Sequence, residues 1–323
     1  MGKADTVLIG LGKWGSNYLR SLIKLKKLYA VFDPKFKSNK IKTNFIKTYS
    51  SYPIKIIDDF NDLLNDSKIR NCIIATPPET HYEILIKCLS SKKNVLIEKP
   101  LFIKKTNFEP IYRLIKKNNL TFMVGHLLNY HNGVNKLINY INSRDFGEIK
   151  YIISQRLNLG RFRKEENIIS SFAPHDISLI LRISKSFPKK IKSSNFKITN
   201  NTNYDISNSL ISFKDFNAYI NVSWIHPEKI HKFLVYSNKK MIEFNNILDR
   251  ENKLRLVEIP KFEYHFNENI KLKEKFIKYS KTEPLLNQMK HFFECVKHSS
   301  KPLTDINEAK NVHQVMMKMI NER

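Results

Sequence analysis

Short, continuous apolar runs alternate with amphipathic stretches over the first part of the chain. Such runs, bounded by turn residues, are typical of buried parallel strands, and helical spacing between them predicts the connecting helices. We predict strands at residues 7–9, 29–32, 72–75, 95–97 and 122–124, and helices at residues 14–26, 59–65, 79–89 and 104–117. This alternation predicts an α/β fold, a Rossmann-type doubly wound parallel sheet, over residues 1–124.

After Gly125 the pattern changes to closely spaced alternating segments joined by short turns, which predict a largely antiparallel sheet. Its strands are predicted at residues 149–159, 191–198, 204–213, 216–225, 231–236 and 240–244. Helices are predicted at residues 132–141, 174–183, 284–298 and 307–320. Residues 125–323 are therefore expected to form an α+β domain, and a cleft between the two domains is the expected ligand site.

The chain carries 56 Lys and Arg residues against 30 Asp and Glu residues, a formal net charge of +26. A charge of this size raises the hypothesis of a nucleic-acid or membrane partner. The lysines are scattered over nearly every predicted element, and there is no zinc-finger spacing, basic region with heptads or stacked-aromatic RNA motif. We interpret the charge as a solvated surface and do not expect a nucleic-acid partner. A basic pocket for a phosphorylated substrate fits the same charge.

No apolar run approaches the roughly 18 residues of a membrane span, and the chain opens on a strand-like segment instead of a signal peptide. The cysteines are few and widely spaced, which favours a reducing compartment over a disulfide framework; they are Cys72, Cys88 and Cys295. We therefore expect a cytoplasmic protein without a membrane partner.

The segment VLIGLGKWG, residues 7–15, has the glycine spacing of a dinucleotide-binding loop. It follows a predicted strand, opens a predicted helix and precedes an acidic residue, Asp33, by about 20 positions. The three glycines would allow a tight turn, a close approach of the pyrophosphate and close packing of the helix on the strand. The predicted cofactor-binding residues are Gly10, Gly12, Lys13, Trp14, Gly15 and Asp33.

Asp33 also indicates which dinucleotide is bound. Its carboxylate is placed to accept hydrogen bonds from the adenosine ribose and would repel a 2′-phosphate. We therefore expect NAD, with NADP kept as the less favoured alternative because Lys35 lies nearby.

Two further segments follow predicted strands at the C-terminal edge of the sheet, where ligands of open α/β sheets bind. They are IATPPETH, residues 74–81, and IEKP, residues 97–100. Taken alone, the first is a proline-rich turn and the second a surface Glu-Lys pair. With the glycine loop, in this order and at these separations, they resemble the glucose-fructose oxidoreductase/inositol dehydrogenase/rhizopine catabolism (Gfo/Idh/MocA) family.

The resemblance extends over essentially the whole chain through VGHLLNYH, residues 124–131, APHDIS, residues 173–178, and SWIHPEK, residues 223–229. It is strongest to branches that act on nucleotide sugars in bacterial surface-polysaccharide pathways. It implies that Lys99 lies beside the nicotinamide and the reacting hydroxyl, with a cis Lys99–Pro100 bond. It matches the family's helix histidine to His175 and adds to the cofactor site Thr76, Pro77, His81, Glu98 and Lys99.

These roles agree with the chemistry of carbinol oxidation, in which a hydride leaves carbon while a base removes the hydroxyl proton. His175 can change its charge near neutral pH and is our first choice for the base. Lys99 would stabilise the developing alkoxide as a cation, or exchange the proton itself if burial lowers its pKa. Both assignments stay open. Hydride transfer needs no metal, and the histidines lack zinc spacing.

The sequence departs from the family pattern at Ser171. Many family members have an aspartate four residues before the histidine, on the same helix face. A serine supplies no second ionisable group, so Lys99 and His175 suffice, or the substrate differs, or catalysis is weak. Asp176 adjoins His175 but would point elsewhere on a helix, and we interpret it as structural.

We expect an NAD-dependent oxidoreductase acting on a ring carbinol of a sugar, and favour a nucleotide-linked sugar in surface-polysaccharide biosynthesis. The alternatives are an inositol, polyol or free-sugar dehydrogenase, and a non-catalytic NAD-binding sensor or partner subunit. The resemblance implies a homo-oligomer, a dimer or tetramer. Candidate substrate-binding residues are His126, Arg156, Asn158, Arg161 and Ser171.

Overall fold

The structure is a computed structural model. It describes residues 4–160, 162, 165–199, 203–259, 272–281 and 283–321. Contacts divide the chain into two compact units. The first unit holds the chain up to His126 together with Leu285–Lys310, and the second holds Leu127–Pro284 and the chain from Asn311 onward. The first unit thus takes in a C-terminal segment that the sequence pattern assigned to the second domain. No helix within the described ranges has the length and apolarity needed to cross a membrane.

The first unit is built on a parallel sheet, whose six described strands run in the order β3-β2-β1-β4-β5-β6. The strands are β1 (Thr6–Ile9), β2 (Leu28–Phe32), β3 (Lys55–Ile56), β4 (Asn71–Ile74), β5 (Asn94–Ile97) and β6 (Phe122–Val124). This strand order is typical of dinucleotide-binding domains. Strands β1, β4 and β6 are buried on both faces, as their continuous apolar runs predict, whereas the edge strand β3 is partly exposed. The predicted doubly wound sheet is confirmed.

The helices of the first unit are α1 (Gly15–Lys24), α2 (Asn39–Thr48), α3 (Phe60–Asn65), α4 (His81–Ser90), α5 (Glu109–Asn118) and α9 (Pro284–His298). The sequence prediction missed α2 and β3. The α2 side chains are all exposed or only partly buried, so its few apolar residues do not mark a core-facing helix. Helix α5 begins five residues later than predicted, with Pro110 in its first turn, where the missing N–H costs nothing.

The second unit contains the described sheet β14-β13-β12-β11-β7-β10-β9-β8. Its strands are β7 (Ile149–Leu159), β8 (Lys190–Phe196), β9 (Ile206–Ser212), β10 (Asn217–Ser223), β11 (Ile225–Ser237), β12 (Lys240–Asn245), β13 (Leu254–Glu258) and β14 (Glu274–Phe276). All neighbours are antiparallel except β7 and β10, so the largely antiparallel sheet is confirmed. The other helices are α6 (Asn132–Ile141), α7 (Ile168–Phe172), α8 (Pro174–Ser184) and α10 (Ile306–Asn321).

Strand β11 corrects one sequence prediction. The pattern predicts one strand at residues 216–225 and another at 231–236, but β10 ends at Ser223 and β11 runs unbroken from Ile225 to Ser237. The intervening HPEK segment looks like a turn by composition. It instead carries an irregularity in register against β7, so the chain passes through it without reversing.

Asp205, a buried carboxylate just before β9, joins several segments of the second unit by hydrogen bonds. It accepts hydrogen bonds from the backbone N–H of Ile198 and of Thr199, each at 2.8 Å, and from Trp224 Nε1 at 2.7 Å. Burial favours the neutral acid, but these donors outweigh it and hold the pKa of Asp205 below the ordinary carboxyl value. The unit is therefore more stable with Asp205 ionised.

We expect Asp205→Asn to lower the free energy of unfolding by about 1–3 kcal/mol at pH 7, because an amide group then faces donors that need an acceptor. Since its folded pKa is depressed, the stabilisation from Asp205 is present above the ordinary value of 3.8 and disappears as the pH falls through the folded value. Urea unfolding of both proteins should therefore converge in acid. Asp215→Asn, at an exposed turn, is the control and should be neutral; an equal loss there would contradict the assignment.

Candidate active site

The glycine loop follows β1 and leads into α1. Gly10 has a φ of +95°, and a Cβ there would lie 2.7 Å from the carbonyl oxygen of Ala75. A Cβ on Gly15 would overlap the carbonyl oxygen of Gly10, so α1 packs directly on the loop. A Cβ on Gly12 would meet nothing within 4 Å. The loop thus combines two glycines required by the protein's own packing with one that faces open space, as a pyrophosphate cradle needs.

Asp33 follows β2 and is tied to that loop. Its Oδ2 accepts a hydrogen bond from the backbone N–H of Leu11 at 2.6 Å, and its Oδ1 accepts one from the N–H of Lys35 at 2.9 Å. The side chain is buried. Each carboxylate oxygen keeps a further lone pair, so the predicted role as a ribose acceptor is compatible with this geometry.

Glu98, the residue after β5, is a buried carboxylate that accepts three hydrogen bonds. Its Oε1 accepts hydrogen bonds from Trp14 Nε1 and from the Tyr18 hydroxyl, the latter at 2.6 Å. Its Oε2 accepts from the backbone N–H of Lys99 at 3.1 Å. Gln288 Nε2 in turn donates to Tyr18 at 2.9 Å. Trp14, predicted as a cofactor ligand, therefore directs its indole N–H at Glu98.

Burial raises the pKa of Glu98, while Tyr18, the Lys99 charge and Trp14 favour its ionised form. The Lys99–Pro100 bond is cis, which confirms that prediction. Lys99 itself is half-buried at the carboxyl end of β5. Glu98 thus fixes the backbone and the electrostatic surroundings of the lysine that follows it.

His81 begins α4 and is fully buried. Its Nδ1 lies 3.1 Å from the carbonyl oxygens of Pro100 and Leu101, and its Nε2 lies 3.0 Å from that of Thr76. Burial lowers the pKa of His81, although the three carbonyl oxygens oppose this shift. The ring joins the loop after β4 to the turn after β5, so both of its nitrogens face protein carbonyls.

The loop after β4 and the start of α1 hold the remaining predicted cofactor residues. Thr76 Oγ1 accepts a hydrogen bond from Thr80 Oγ1 at 2.8 Å. Pro77 and Lys13 are exposed to solvent. Thr76, Pro77 and Lys13 are all at least partly exposed, so a ligand at this sheet edge could reach them.

His126, two residues beyond β6, is also buried in the first unit. Its Nδ1 lies 2.9 Å from both carboxylate oxygens of Glu308. The backbone N–H of Glu308 donates to Asp305 at the start of α10, at 3.0 Å. His126 was predicted from sequence, whereas Glu308 lies 182 residues away and carries no sequence signal for this contact.

His175 lies in the first turn of α8 in the second unit and is half-buried. The next residue, Asp176, is buried and accepts from Arg156 Nε at 2.9 Å and from its Nη2 at 2.8 Å. This two-point ion pair attaches α8 to β7. The ion pair agrees with the interpretation of Asp176 as a structural residue. It also engages two of the three side-chain nitrogens of Arg156, which was predicted to bind substrate.

Ser171, predicted as a substrate residue, is buried on α7 and donates to a carboxylate that the sequence did not single out. Its Oγ lies 2.8 Å from Glu166 Oε2, and Glu166 is only 3% exposed. Ser171 precedes His175 by four residues, and the chain stays helical in conformation at Ala173 between them. A buried carboxylate thus stands beside the position at which the family pattern has an aspartate.

Asn158 lies on β7, two residues after Arg156 and on the same face of the sheet. Its Oδ1 is buried and has no hydrogen-bond partner among the described residues. An acceptor of this kind suits a substrate hydroxyl. Arg161, the last predicted substrate residue, lies outside the described residues. Within the described ranges no group of three or more His, Cys, Asp or Glu side chains could hold a metal ion.

Comparison with known proteins identifies residues 5–126 with the family described as "Oxidoreductase family, NAD-binding Rossmann fold", the Gfo/Idh/MocA family. The 2,7-anhydro-N-acetylneuraminate hydratase of Escherichia coli is 30% identical over 145 residues, 44% of this chain and 37% of the relative. The UDP-N-acetylglucosamine 3-dehydrogenase of Acidithiobacillus ferrooxidans is 21% identical over 188 residues, 58% of this chain and 56% of the relative. The chain thus matches less than two thirds of either relative's length.

The solved structure of UDP-N-acetylglucosamine 3-dehydrogenase from Acidithiobacillus ferrooxidans superposes with a TM-score of 0.83. It is 15% identical, and the superposition covers 99% of this chain and 97% of that chain. At this level of identity the likeness shows the fold, and it confirms the predicted fold class over both units.

Gly12→Ala and Gly15→Ala should separate the two uses of the glycines. We expect Gly15→Ala to destabilise the cofactor-free protein by about 1–3 kcal/mol, because its Cβ meets backbone. Gly12→Ala should leave the melting temperature unchanged and weaken NAD binding about tenfold or more, because its Cβ would occupy the cradle. Thermal unfolding and NAD titration measure the two effects. Equal destabilisation by both substitutions would contradict the assignment of Gly12 to the ligand.

Proposed function

Because the chain belongs, through residues 5–126, to the Gfo/Idh/MocA oxidoreductases, we propose that it is an NAD-dependent dehydrogenase of a sugar ring carbinol. The observation that carries this proposal is Lys99 at the carboxyl end of β5, held by the buried Glu98 network in the same unit as the glycine loop. Asp33 supports NAD over NADP, since its carboxylate is fixed beside the loop.

A nucleotide-linked sugar, used in surface-polysaccharide biosynthesis, is the substrate class that we favour. One relative and one solved structure with the same fold carry the name UDP-N-acetylglucosamine 3-dehydrogenase. The formal charge of +26 favours a substrate with phosphate groups. The hydratase relative is named for 2,7-anhydro-N-acetylneuraminate, a sugar with a carboxylate, so the substrates in both names are anionic, one through its diphosphate and one through its carboxylate.

Bound NAD would supply the acceptor for the hydride that leaves the carbinol carbon. The protein's own contribution is to orient the hydroxyl and to remove its proton. Lys99, as a cation, would donate a hydrogen bond to the oxygen and stabilise the alkoxide as the carbonyl forms. Glu98 accepts a hydrogen bond from the Lys99 backbone N–H, and the Lys99 charge in turn favours the ionised form of Glu98.

His175 is the proposed base that takes the hydroxyl proton. Its ring is half-buried in the first turn of α8, and the Arg156–Asp176 ion pair fixes that turn on β7. Ser171 holds the Glu166 carboxylate against the position four residues before His175, where the family pattern has its aspartate, and Glu166 is proposed to take the role of that aspartate. In this role Glu166 is a positioning residue that favours the imidazolium after proton transfer, so Ser171 does not imply loss of activity.

The proposed function predicts cofactor reduction when the protein and NAD are mixed with a panel of UDP- and GDP-sugars. Lys99→Ala and His175→Ala should each lower kcat/KM by about 10²- to 10⁴-fold, since each removes a group acting on the proton or the alkoxide. Lys104→Ala, at an exposed lysine, should have no effect. Turnover of free inositols alone would assign a polyol substrate instead, and NAD binding without any turnover would favour the non-catalytic sensor.

Glu166→Gln should lower kcat on the order of 10²-fold and alter its pH dependence, because the carboxylate beside Ser171 is lost. The double variant Glu166→Gln with Ser171→Asp returns a carboxylate one turn from His175 and should recover most of the activity. Glu165→Gln, at the exposed neighbouring residue, is the matched control. An unchanged pH profile in Glu166→Gln, or no recovery in the double variant, would show that Glu166 only supports the fold.

A further inference from the structure

His231, on β11 in the second unit, has a buried ring nitrogen without a partner. Its Nδ1 lies 3.1 Å from Asn246 Nδ2. Its Nε2 is buried and has no hydrogen-bond partner in the part of the chain that the structure describes. A buried polar atom left unpaired costs about 1–3 kcal/mol, so such atoms commonly mark a ligand or a water site.

The contacts of Asn246 determine whether His231 Nε2 is a hydrogen-bond donor or an acceptor. Lys253 Nζ donates to the backbone oxygen of Asn246 at 2.9 Å and to its Oδ1 at 3.1 Å. Because Oδ1 accepts from the ammonium, Nδ2 is the atom that faces His231, and it can only donate. His231 Nδ1 therefore accepts, and the neutral ring carries its hydrogen on Nε2. The unpaired atom is a donor that needs an acceptor.

Positive charge surrounds this donor. His231 stands directly opposite Arg156 of β7, and Lys229 and Lys253 also act on it. Burial, followed by these cations and His131, lowers the pKa of His231 to about 2. Lys229 and Lys253 form no ion pair with any described residue, although Asp249 acts on Lys253 from a distance. Arg156 is already paired with Asp176. The excess positive charge at His231 is therefore not neutralised by the described residues.

Tyr279 provides a second unpaired donor in the same cluster. Its hydroxyl oxygen is buried and has no partner among the described residues. Its ring packs edge-on against His131 at 5.6 Å between centroids, and Lys253 contributes to lowering the pKa of His131 to about 4, after burial. His231 Nε2–H and the Tyr279 hydroxyl are thus two neutral donors in this part of the unit, and Lys229 and Lys253 are two lysines there that form no ion pair with a described residue.

We propose that His231, Tyr279, Lys229 and Lys253 form a binding site for a phosphate or diphosphate group of the substrate. Phosphate oxygens accept several hydrogen bonds at once and are bound by lysine as a point charge. His231 Nε2–H and the Tyr279 hydroxyl donate to these oxygens, and the two lysines balance their charge. This inference rests on the proposed function and names the part of a nucleotide sugar that the second unit recognises.

Isothermal titration of the NAD-loaded protein with UDP, and separately with inorganic pyrophosphate, tests the site. We expect His231→Phe and Lys253→Met each to weaken the binding of both ligands about tenfold or more. His231→Gln, which keeps an N–H donor, should bind more tightly than His231→Phe. Lys232→Met removes a charge from the next position of the same strand, whose side chain approaches Glu243 instead, and should not change the affinity.

Wild-type affinity for both ligands in His231→Phe and Lys253→Met would overturn the site, as would no binding of either ligand to the wild-type protein. The NAD affinity of each variant, measured on the same sample, separates misfolding from loss of the site. In a ring-nitrogen NMR spectrum the His231 Nε2–H signal should shift when pyrophosphate is added; an unchanged signal under saturating pyrophosphate would also overturn the site.

Failure of the proposed function gives a different result. If no nucleotide sugar is turned over but UDP binding is lost in the variants, the proposed phosphate-binding site is supported and the proposed reaction is contradicted. If UDP-sugars are turned over with wild-type KM by His231→Phe and Lys253→Met, the proposed reaction is supported and the proposed phosphate-binding site is contradicted.

Discussion

The buried carboxylate of Glu98 is the constraint on which the first unit's candidate site depends. It accepts hydrogen bonds from Trp14 and Tyr18 on α1 and from the backbone of Lys99 after β5. Gly125, after β6, leaves it room, because a Cβ there would lie 2.9 Å from Oε1. A buried carboxylate without such donors would be too costly to keep ionised. The glycine-loop helix, the lysine and the exit of β6 are thus held in one arrangement.

The second unit repeats this principle with different residues. His175 is followed by Asp176, which is buried and held by Arg156, just as Lys99 is preceded by the buried and held Glu98. In each unit the proposed catalytic side chain adjoins a buried carboxylate that accepts hydrogen bonds at both of its oxygens. In both cases the carboxylate anchors the backbone next to the proposed catalytic side chain. The carboxylates of Glu98 and Asp176 thus have a positioning role, and the proposed reacting groups are the neighbouring Lys99 and His175.

Much of the fold follows from local pattern. Continuous apolar runs identify the buried strands, and parallel strands place the residues that follow them at one edge, which is where the sequence predicts ligand-binding segments. The roles predicted there for Thr76 and Lys99 came from the family resemblance. Helix α2 could not be predicted from the pattern, because it buries no side chain. The HPEK segment was mistaken for a turn because composition does not reveal that β11 continues through an irregular register.

Contacts between distant residues account for what the sequence did not indicate about the site. The carbonyl partners of His81, at Pro100 and Leu101, are 19 and 20 residues away, so a motif histidine expected at the cofactor is seen as a link between two loops. Glu166 became a candidate site residue only through its contact with Ser171 Oγ, which the sequence did not indicate. The assignment of the unpaired His231 Nε2 as a donor depends on the orientation of Asn246 and Lys253, which the sequence pattern does not reveal.

Asp33 has one consequence for engineering. Its carboxylate belongs both to the predicted ribose contact and to the internal support of the glycine loop, through the N–H groups of Leu11 and Lys35. A designer who replaces Asp33 with a small neutral residue to admit NADP removes an acceptor from beneath the loop at the same time. The proposed cofactor preference and the support of the glycine loop therefore depend on the same side chain, and a redesign has to supply a new acceptor for the Leu11 N–H along with a cation for the 2′-phosphate.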